Sequence, residues 1–230
     1  MDDMKSLLEE ARKKNPLLPA HEAVADILRL QIATCVMRQG QHLKEIETAE
    51  KMGVSRSTVR RTFETLVLEG TVRRTTYGVE VAPMLLRQYA EVAELRRMLD
   101  SFASNLAAQK RSNKDVEELH DWIERLMQAN TVSPITEADV GFHNCIYRAA
   151  GNMYMLQISR LFGLDIMRSK YLSAEGVIPI RNRIVEEHTK IYEAIRQRDA
   201  AKAYSAAIKH AQILMEPYFL DNAYRTMGVD

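Results

Sequence analysis

Hydrophobic positions along this chain recur mostly at the three- and four-residue steps of a helix. Val24, Ile27, Leu28 and Ile32 give one apolar face to a helix read over about 20–38, which Gln39-Gly40-Gln41 then breaks. A short helix from Glu45 to Met52 runs into Gly53, whose backbone suits a tight turn. A second helix follows, N-capped by Ser55, turning Val59, Phe63 and Leu66 inward and ending at Gly70. The pattern then changes to β-branched residues, with Val72, Val79 and Val81 flanking a hairpin that has Gly78 at its expected tip. Helix, turn, helix and hairpin in that order are the layout of a winged helix-turn-helix.

Beyond Pro83 the helical period returns. Helices are read over about 86–110, 113–129, 135–149, 153–173, 181–197 and 200–217. Their breaks fall at Ser112-Asn113, Ser133-Pro134, Gly151-Asn152, Gly176 to Pro179 and Arg198-Asp199. The expected fold is therefore mainly α, an N-terminal winged helix-turn-helix followed by an all-helical antiparallel bundle. The expected divisions are a lead-in over 1–19, a winged helix-turn-helix domain over 20–83, a linker over 84–88, a helical domain over 89–220 and a tail over 221–230.

Composition narrows this further. With 46% hydrophobic and 27% charged residues, the 230-residue chain can bury two cores and is not a disordered one. Two cysteines, Cys35 and Cys145, form no CxxC pair, so neither a disulfide framework nor a cysteine zinc site is expected. That usage, and an N-terminus without the apolar run of a signal peptide, point to the cytoplasm. No stretch is long and apolar enough for a membrane span. The net charge of +1 hides a local concentration. Between residues 51 and 74, six basic side chains stand against Glu64 and Glu69, a local +4 that suits phosphate neutralisation. Arg56, Arg60 and Arg61 lie near the start of the second helix, where a helix enters the major groove, and Arg73 and Arg74 lie on the hairpin. Ser55, Thr58 and Gly78 would set register on the DNA backbone.

In the second domain Asp139 and His143 stand at i and i+4, on one face of one helix. His188 joins the apolar stripe of Ile184, Ile191 and Ile195, and His210 lies similarly in IKHAQIL. Three imidazoles and a carboxylate on inward stripes suit a divalent ion such as Zn²⁺, Ni²⁺ or Mn²⁺. A histidine on such a stripe is more often a packed core residue, and that reading stays open beside the metal one. His21, His42 and His120 read as solvated surface, and Trp122, Tyr89 and Tyr147 as core.

The stretch LKEIETAEKMGVSRSTVRRTFETLVLEGTVRRTTYGVEV resembles the DNA-binding domain of GntR-type bacterial transcription regulators. The resemblance rests on Leu43, Glu45, Ala49, Gly53 to Arg56, Val59-Arg60, Leu66, Glu69-Gly70, Gly78 and Val81. Arg61 stands where that family commonly has Glu and adds charge to the second helix. The rest of the chain resembles the FCD ligand-binding domain of the FadR subfamily, through Arg96, Asp139, His143, Gly151-Asn152, Glu187-His188 and His210. The resemblance implies a divalent metal held by Asp139, His143, His188 and His210, with Zn²⁺ expected first and Ni²⁺ or Mn²⁺ as alternatives. It further implies a small organic acid effector completing the coordination, with Arg96 and Asn152 as effector-binding residues, and a homodimer on double-stranded operator DNA. The function expected is a transcription regulator, a repressor relieved by a small carboxylate, and not an enzyme. The alternatives are a metal-dependent hydrolase and a DNA-binding regulator whose metal is purely structural.

Overall fold

The computed structural model describes residues 4–76, 78–83, 86–159 and 174–213, and the chain divides into two units, Met1–Met84 and Leu85–Asp230. The first unit runs α1 (Met4–Lys14), α2 (Ala20–Ala33), β1 (His42–Leu43), α3 (Glu45–Met52), α4 (Arg56–Leu68), β2 (Val72–Thr75) and β3 (Gly78–Val81). Its core gathers Val24, Leu28 and Ile32 of α2 with Met52 of α3 and Val59, Phe63 and Leu66 of α4. Each such side chain contributes roughly 1.5–3 kcal/mol on burial. Leu8 of α1 is buried in the same core, so the segment read as a lead-in packs with the unit.

Two details of this unit differ from the sequence expectation. The helix read to about residue 38 stops at Ala33, because Cys35 takes a left-handed backbone (φ 56°) and the chain folds back, Met37 N donating to Gln31 O at 2.9 Å. Gly78 is not the hairpin tip: it opens β3 opposite Thr75. Its role is close approach, since β1 pairs on the other side of β3, and a Cβ on Gly78 would stand 2.5 Å from the Leu43 carbonyl oxygen. The two-residue β1 is too short to show any alternation in sequence.

The second unit contains α5 (Leu86–Lys110), α6 (Asn113–Gln128), α7 (Val132–Ala149), α8 (described over 153–159), α9 (Ala174–Arg196) and α10 (Ala200–Gln212). Local chemistry sets several of the ends. Ser112 and Asp115 form a reciprocal capping box on α6, and Asp199 Oδ1 accepts from Lys202 N at 2.9 Å to start α10. α7 begins three residues before the expected start because Pro134 fits within a first turn, where its missing N–H costs nothing. α9 runs through Gly176 and Pro179, which were expected to break it; Ile180 and Ile184 pack with Leu126, Ile135 and Ile213, and that packing overrides local propensity. Residues 160–173 and 214–217 of the expected helices, linker residues 84 and 85, and the tail 221–230 lie outside the described residues. No helix among the described residues is long and apolar enough to cross a membrane.

Gly141 lets α7 lie against α6: a Cβ there would meet the Trp122 ring at 2.5 Å. Gly141→Ala gains about 1 kcal/mol of helix propensity, but overpacking against an indole ring costs roughly 1–3 kcal/mol. The variant is therefore expected to melt a few degrees below the parent chain. An equal or higher midpoint in thermal unfolding would refute this account of the α6–α7 contact.

Candidate functional site

Helical period brings polar side chains to the inside of the second unit. On α7, Asp139 and His143 share a face one turn apart; α9 carries His188 between Ile184 and Ile191, and α10 carries His210 beside Ala206 and Ala207. All four are buried, at 3, 6, 0 and 5% exposure respectively, so water does not serve these groups. Their ligand atoms lie within 4.8 Å of one another. His210 Nε2 stands 3.2 Å from His143 Nε2 and 3.3 Å from His188 Nε2. Asp139 Oδ1 stands 3.5 Å from His188 Nε2 and 3.9 Å from His143 Nε2. The Phe142 ring stacks on His188 with centroids 4.1 Å apart and supplies part of the apolar wall.

Whether these residues fit a divalent ion is decided by spacing and by protons. Ligands about 2.0–2.1 Å from a tetrahedral Zn²⁺ stand about 3.4 Å apart, and four of the pairs here stand at 3.2, 3.3, 3.5 and 3.9 Å within a group no wider than 4.8 Å. A proton between two imidazoles can satisfy one such pair only, whereas a cation answers all the converging lone pairs at once. The donor set, three nitrogens and one carboxylate oxygen, suits Zn²⁺, Ni²⁺ or Mn²⁺. The sequence-predicted ligands are thus brought together as a group.

Behind them lies a second layer, of which the sequence had singled out only Arg96, as an effector contact. Asp100 of α5, 1% exposed, places Oδ2 3.3 Å from His143 Nδ1 and accepts from Arg96 Nε at 3.0 Å, while the Tyr147 hydroxyl donates to its Oδ1. Arg96 Nη2 reaches Asp139 Oδ2 at 3.3 Å. Burial works to raise the Asp100 carboxyl, but His143, Arg96 and Tyr147 outweigh it and hold the group well below the usual carboxylate range. Burial lowers the His143 imidazole, and the opposing pull of Asp100 does not restore it. The neutral imidazole is the form that binds metal. Burial, then the Asp100 charge, pushes Tyr147 well above its ordinary value, so it remains a donor. An i,i+4 Arg–Asp pair reads in sequence as a surface pair; only its place among the buried alanines Ala93, Ala103 and Ala107 hinted otherwise. Tyr147, read as core, is core with its hydroxyl committed. Asn152, expected near an effector, caps α8, its Oδ1 accepting from Tyr154 N and Met155 N at 3.1 and 3.3 Å.

In the first unit, Ser55 caps α4 by accepting from Thr58 N at 3.1 Å, and its Oγ lies 2.8 Å from both the Ser57 and Thr58 hydroxyls. Arg56, Arg60 and Arg61 are exposed, with no acid in the first turn of the helix. Cations at a helix N-terminus oppose the dipole, an arrangement that suits an anionic partner. Arg60 is held by both oxygens of Glu45, at 3.1 and 2.9 Å, which presents its guanidinium in one orientation. Arg73 pairs across the hairpin with Glu80, whose other oxygen lies 3.5 Å from His42 Nε2. Arg74 is exposed and, like Arg56 and Arg61, makes no ion pair among the described residues. His21, expected at the surface, is largely covered, its side chain only 14% exposed.

Two protein families match this chain. Bacterial regulatory proteins of the gntR family match residues 20–78, and the FCD domain matches residues 91–212. The chain is 26% identical over 211 residues to the "Probable D-xylose utilization operon transcriptional repressor" of Paenarthrobacter nicotinovorans, covering 90% of each chain. It is 26% identical over 189 residues to the gluconate operon transcriptional repressor of Bacillus subtilis (strain 168), covering 77% of this chain and 76% of that one. The solved structure of E. coli McbR/YncC has the same fold, with a TM-score of 0.75 at 19% identity over 86% of this chain and 96% of that one. The matched domains are those of transcription regulators, not of enzymes.

Cys145, two residues beyond His143, is turned away from the cluster, its thiol directed at the Asp115 carbonyl at 3.7 Å, and burial pushes it up to about 12. Cys35 is only half-buried. A thiol-reactive chromophore should therefore modify Cys35 first, leaving Cys145 for the unfolded chain; two equally fast thiols under native conditions would contradict the packing of α7.

Proposed function

We propose, starting from the fact that this chain belongs to the GntR family of bacterial regulatory proteins and carries an FCD domain, that it is a DNA-binding transcriptional repressor. Its hold on its operator is governed by a small carboxylate bound at a divalent metal in the second unit. The observation that carries the reading is the convergence of Asp139, His143, His188 and His210 inside the same chain that presents an arginine-led helix start.

At the DNA, Arg56 and Arg60 read base edges or phosphates, since the guanidinium fork suits guanine O6/N7 and phosphate oxygens alike. Glu45 fixes the fork of Arg60 in advance, so less rotamer freedom is lost on binding. Ser55 and Thr58 hold the helix start, while Arg61, Arg73, Arg74 and the hairpin opened by Gly78 contact the backbone and set register. A homodimer presents two such helices to a symmetric site. Exposed Met98 and Phe102, one turn apart on α5, are apolar surface that a second copy would cover. Such a protein works in the cytoplasm, where the DNA is.

At the metal site, Asp139, His143, His188 and His210 would hold the ion, Zn²⁺ in the first instance and Ni²⁺ or Mn²⁺ otherwise. The ion, when bound, supplies positive charge for a carboxylate. Among the described residues Arg96 is balanced against Asp100 and Asp139, a net −1 apart from the imidazoles, which favours a cation there. Adding a divalent ion leaves +1, the complement of one carboxylate. The Thr136 hydroxyl, buried without a hydrogen-bond partner on α7 one turn before Asp139, offers a polar contact beside that position. Arg96 acts on the effector through the two carboxylates it holds, and Asn152 by shaping the start of α8.

The test joins metal content to DNA binding. The purified chain should carry near one equivalent of divalent metal by mass spectrometry, and the triple variant His143→Ala, His188→Ala, His210→Ala should lose it. On duplexes selected from a random pool, Arg56→Ala with Arg60→Ala should weaken binding and flatten its salt dependence. Small hydroxy and sugar acids should then change operator affinity for the metal-loaded chain only. A chain that takes up no Zn²⁺, Ni²⁺ or Mn²⁺ would remove the metal from this account. One that binds metal but whose DNA affinity ignores every acid would leave the metal structural.

A further inference from the structure

We infer that Asp100 is the positioning residue of the metal centre: its carboxylate holds His143 in the one tautomer and orientation that turn the Nε2 lone pair toward Asp139, His188 and His210. The inference rests on the metal reading proposed above and names a residue outside the ligand set. Asp100 faces the far side of the ring, with Oδ2 3.3 Å from Nδ1, while Nε2 faces His210 at 3.2 Å. A neutral imidazole carries a single ring proton. Given to Nδ1, it lies on the Asp100 side of the ring, where the 3.3 Å approach is a charge contact without the alignment of a full hydrogen bond, and it leaves Nε2 as an acceptor, the state a cation requires.

The carboxylate is itself immobilised. Arg96 Nε donates to Oδ2 at 3.0 Å and the Tyr147 hydroxyl donates to Oδ1, so α5 and α7 each supply a donor. Tyr147 follows His143 by one turn of α7, so ligand and clamp are borne by the same stretch of helix. At 1% exposure for Asp100 and 4% for Tyr147, water does not compete for these bonds. Arg96 then ties this carboxylate to the ligand carboxylate of Asp139 at 3.3 Å, so one guanidinium sets the height of both against α5. A carboxylate needed only to neutralise Arg96 would have no reason to lie against a ring nitrogen of a ligand.

The experiment uses the full chain and three variants, Asp100→Asn, Asp100→Glu and Tyr147→Phe. Zn²⁺ affinity is measured by competition with a chromophoric chelator, and the ring protons of the metal-free protein by nitrogen-15 NMR. Asp100→Asn should bind Zn²⁺ about 10–100-fold more weakly and populate the other His143 tautomer. Asp100→Glu should recover part of the affinity, and Tyr147→Phe should show a smaller loss of the same kind. A residue that only supports the fold would lower the melting midpoint without moving the tautomer. A folded Asp100→Asn protein with parental affinity and an unchanged His143 proton would overturn the inference. If Asp100→Asn does not fold, Tyr147→Phe decides: loss of affinity with a shifted tautomer upholds it, and no change overturns it. A parent chain that binds no Zn²⁺, Ni²⁺ or Mn²⁺ fails the metal reading itself, whereas a metal-binding parent with indifferent variants fails only the role of Asp100.

Discussion

Burying Arg96 between Asp100 and Asp139 takes three charges out of water, and the second unit is arranged around keeping them compensated. Removing one partner from such a group costs about 3–5 kcal/mol, because the remaining charge is left in a low-dielectric interior. The guanidinium therefore holds α5 and α7 at one relative height, with its Nε on Asp100 and its Nη2 on Asp139. Those two carboxylates then settle the imidazoles, Asp100 at the Nδ1 of His143 and Asp139 at the Nε2 of His188. Around them the walls are small and apolar, with Ala103 and Ala107 of α5, Ile191 of α9 and Ala207 of α10, so no solvent screens the set. Charge that could spread through water is here confined to a few fixed atoms, which is what gives the site a definite geometry.

The inward clustering of these four side chains was legible in the sequence because helix period is a strong signal: Asp139 and His143 stand at i and i+4, and His188 lies on a stripe of isoleucines. Of the layer behind them only Arg96 was, and as an effector contact, not as a buried ion pair. Arg96 and Asp100 have the same spacing as a solvated surface pair, and nothing local distinguishes a charge pair buried by tertiary packing from one left in water. Tyr147 likewise looks like any core aromatic until its hydroxyl finds Asp100. In the first unit α3 and α4 could be read to the residue, since Gly53 and Ser55 carry the turn and the cap. The end of α2 could not, as it depends on Cys35 adopting a left-handed backbone that its side chain does not advertise. Gly78 misled for a related reason: its small size answers the Leu43 carbonyl of a neighbouring strand, a contact no hairpin rule contains.

A net charge of +1 says little about the first unit, because its basic residues are concentrated and two of the acids beside them are paired with arginines. Glu45 is bound to Arg60 and Glu80 to Arg73, so these acids orient cations instead of merely cancelling them. Arg56 and Arg61 stand without such restraint at the positive end of α4. The helix start thus combines one pre-oriented guanidinium with freer ones, a division that suits a reader needing both a fixed directional contact and adaptable phosphate contacts.

On the proposed reading, burial of the ligands also bears on how a signal is passed. A ligand with equal affinity for two states shifts neither, so a small acid can regulate DNA binding only if it favours one arrangement of the protein over another. A tenfold preference supplies about 1.4 kcal/mol, and the shift from mostly bound to mostly free operator needs several times that unless the two arrangements are nearly balanced. The cluster as it stands, with every ligand at 6% exposure or less, gives an acid no open approach through the described residues. On the proposed reading, an arrangement of the bundle that uncovers these side chains binds the acid better than this one. Such a difference is the source of unequal affinity, and in a bundle whose charges are held by so few bonds, the contacts of Arg96 and Asp100 are where it would be felt first.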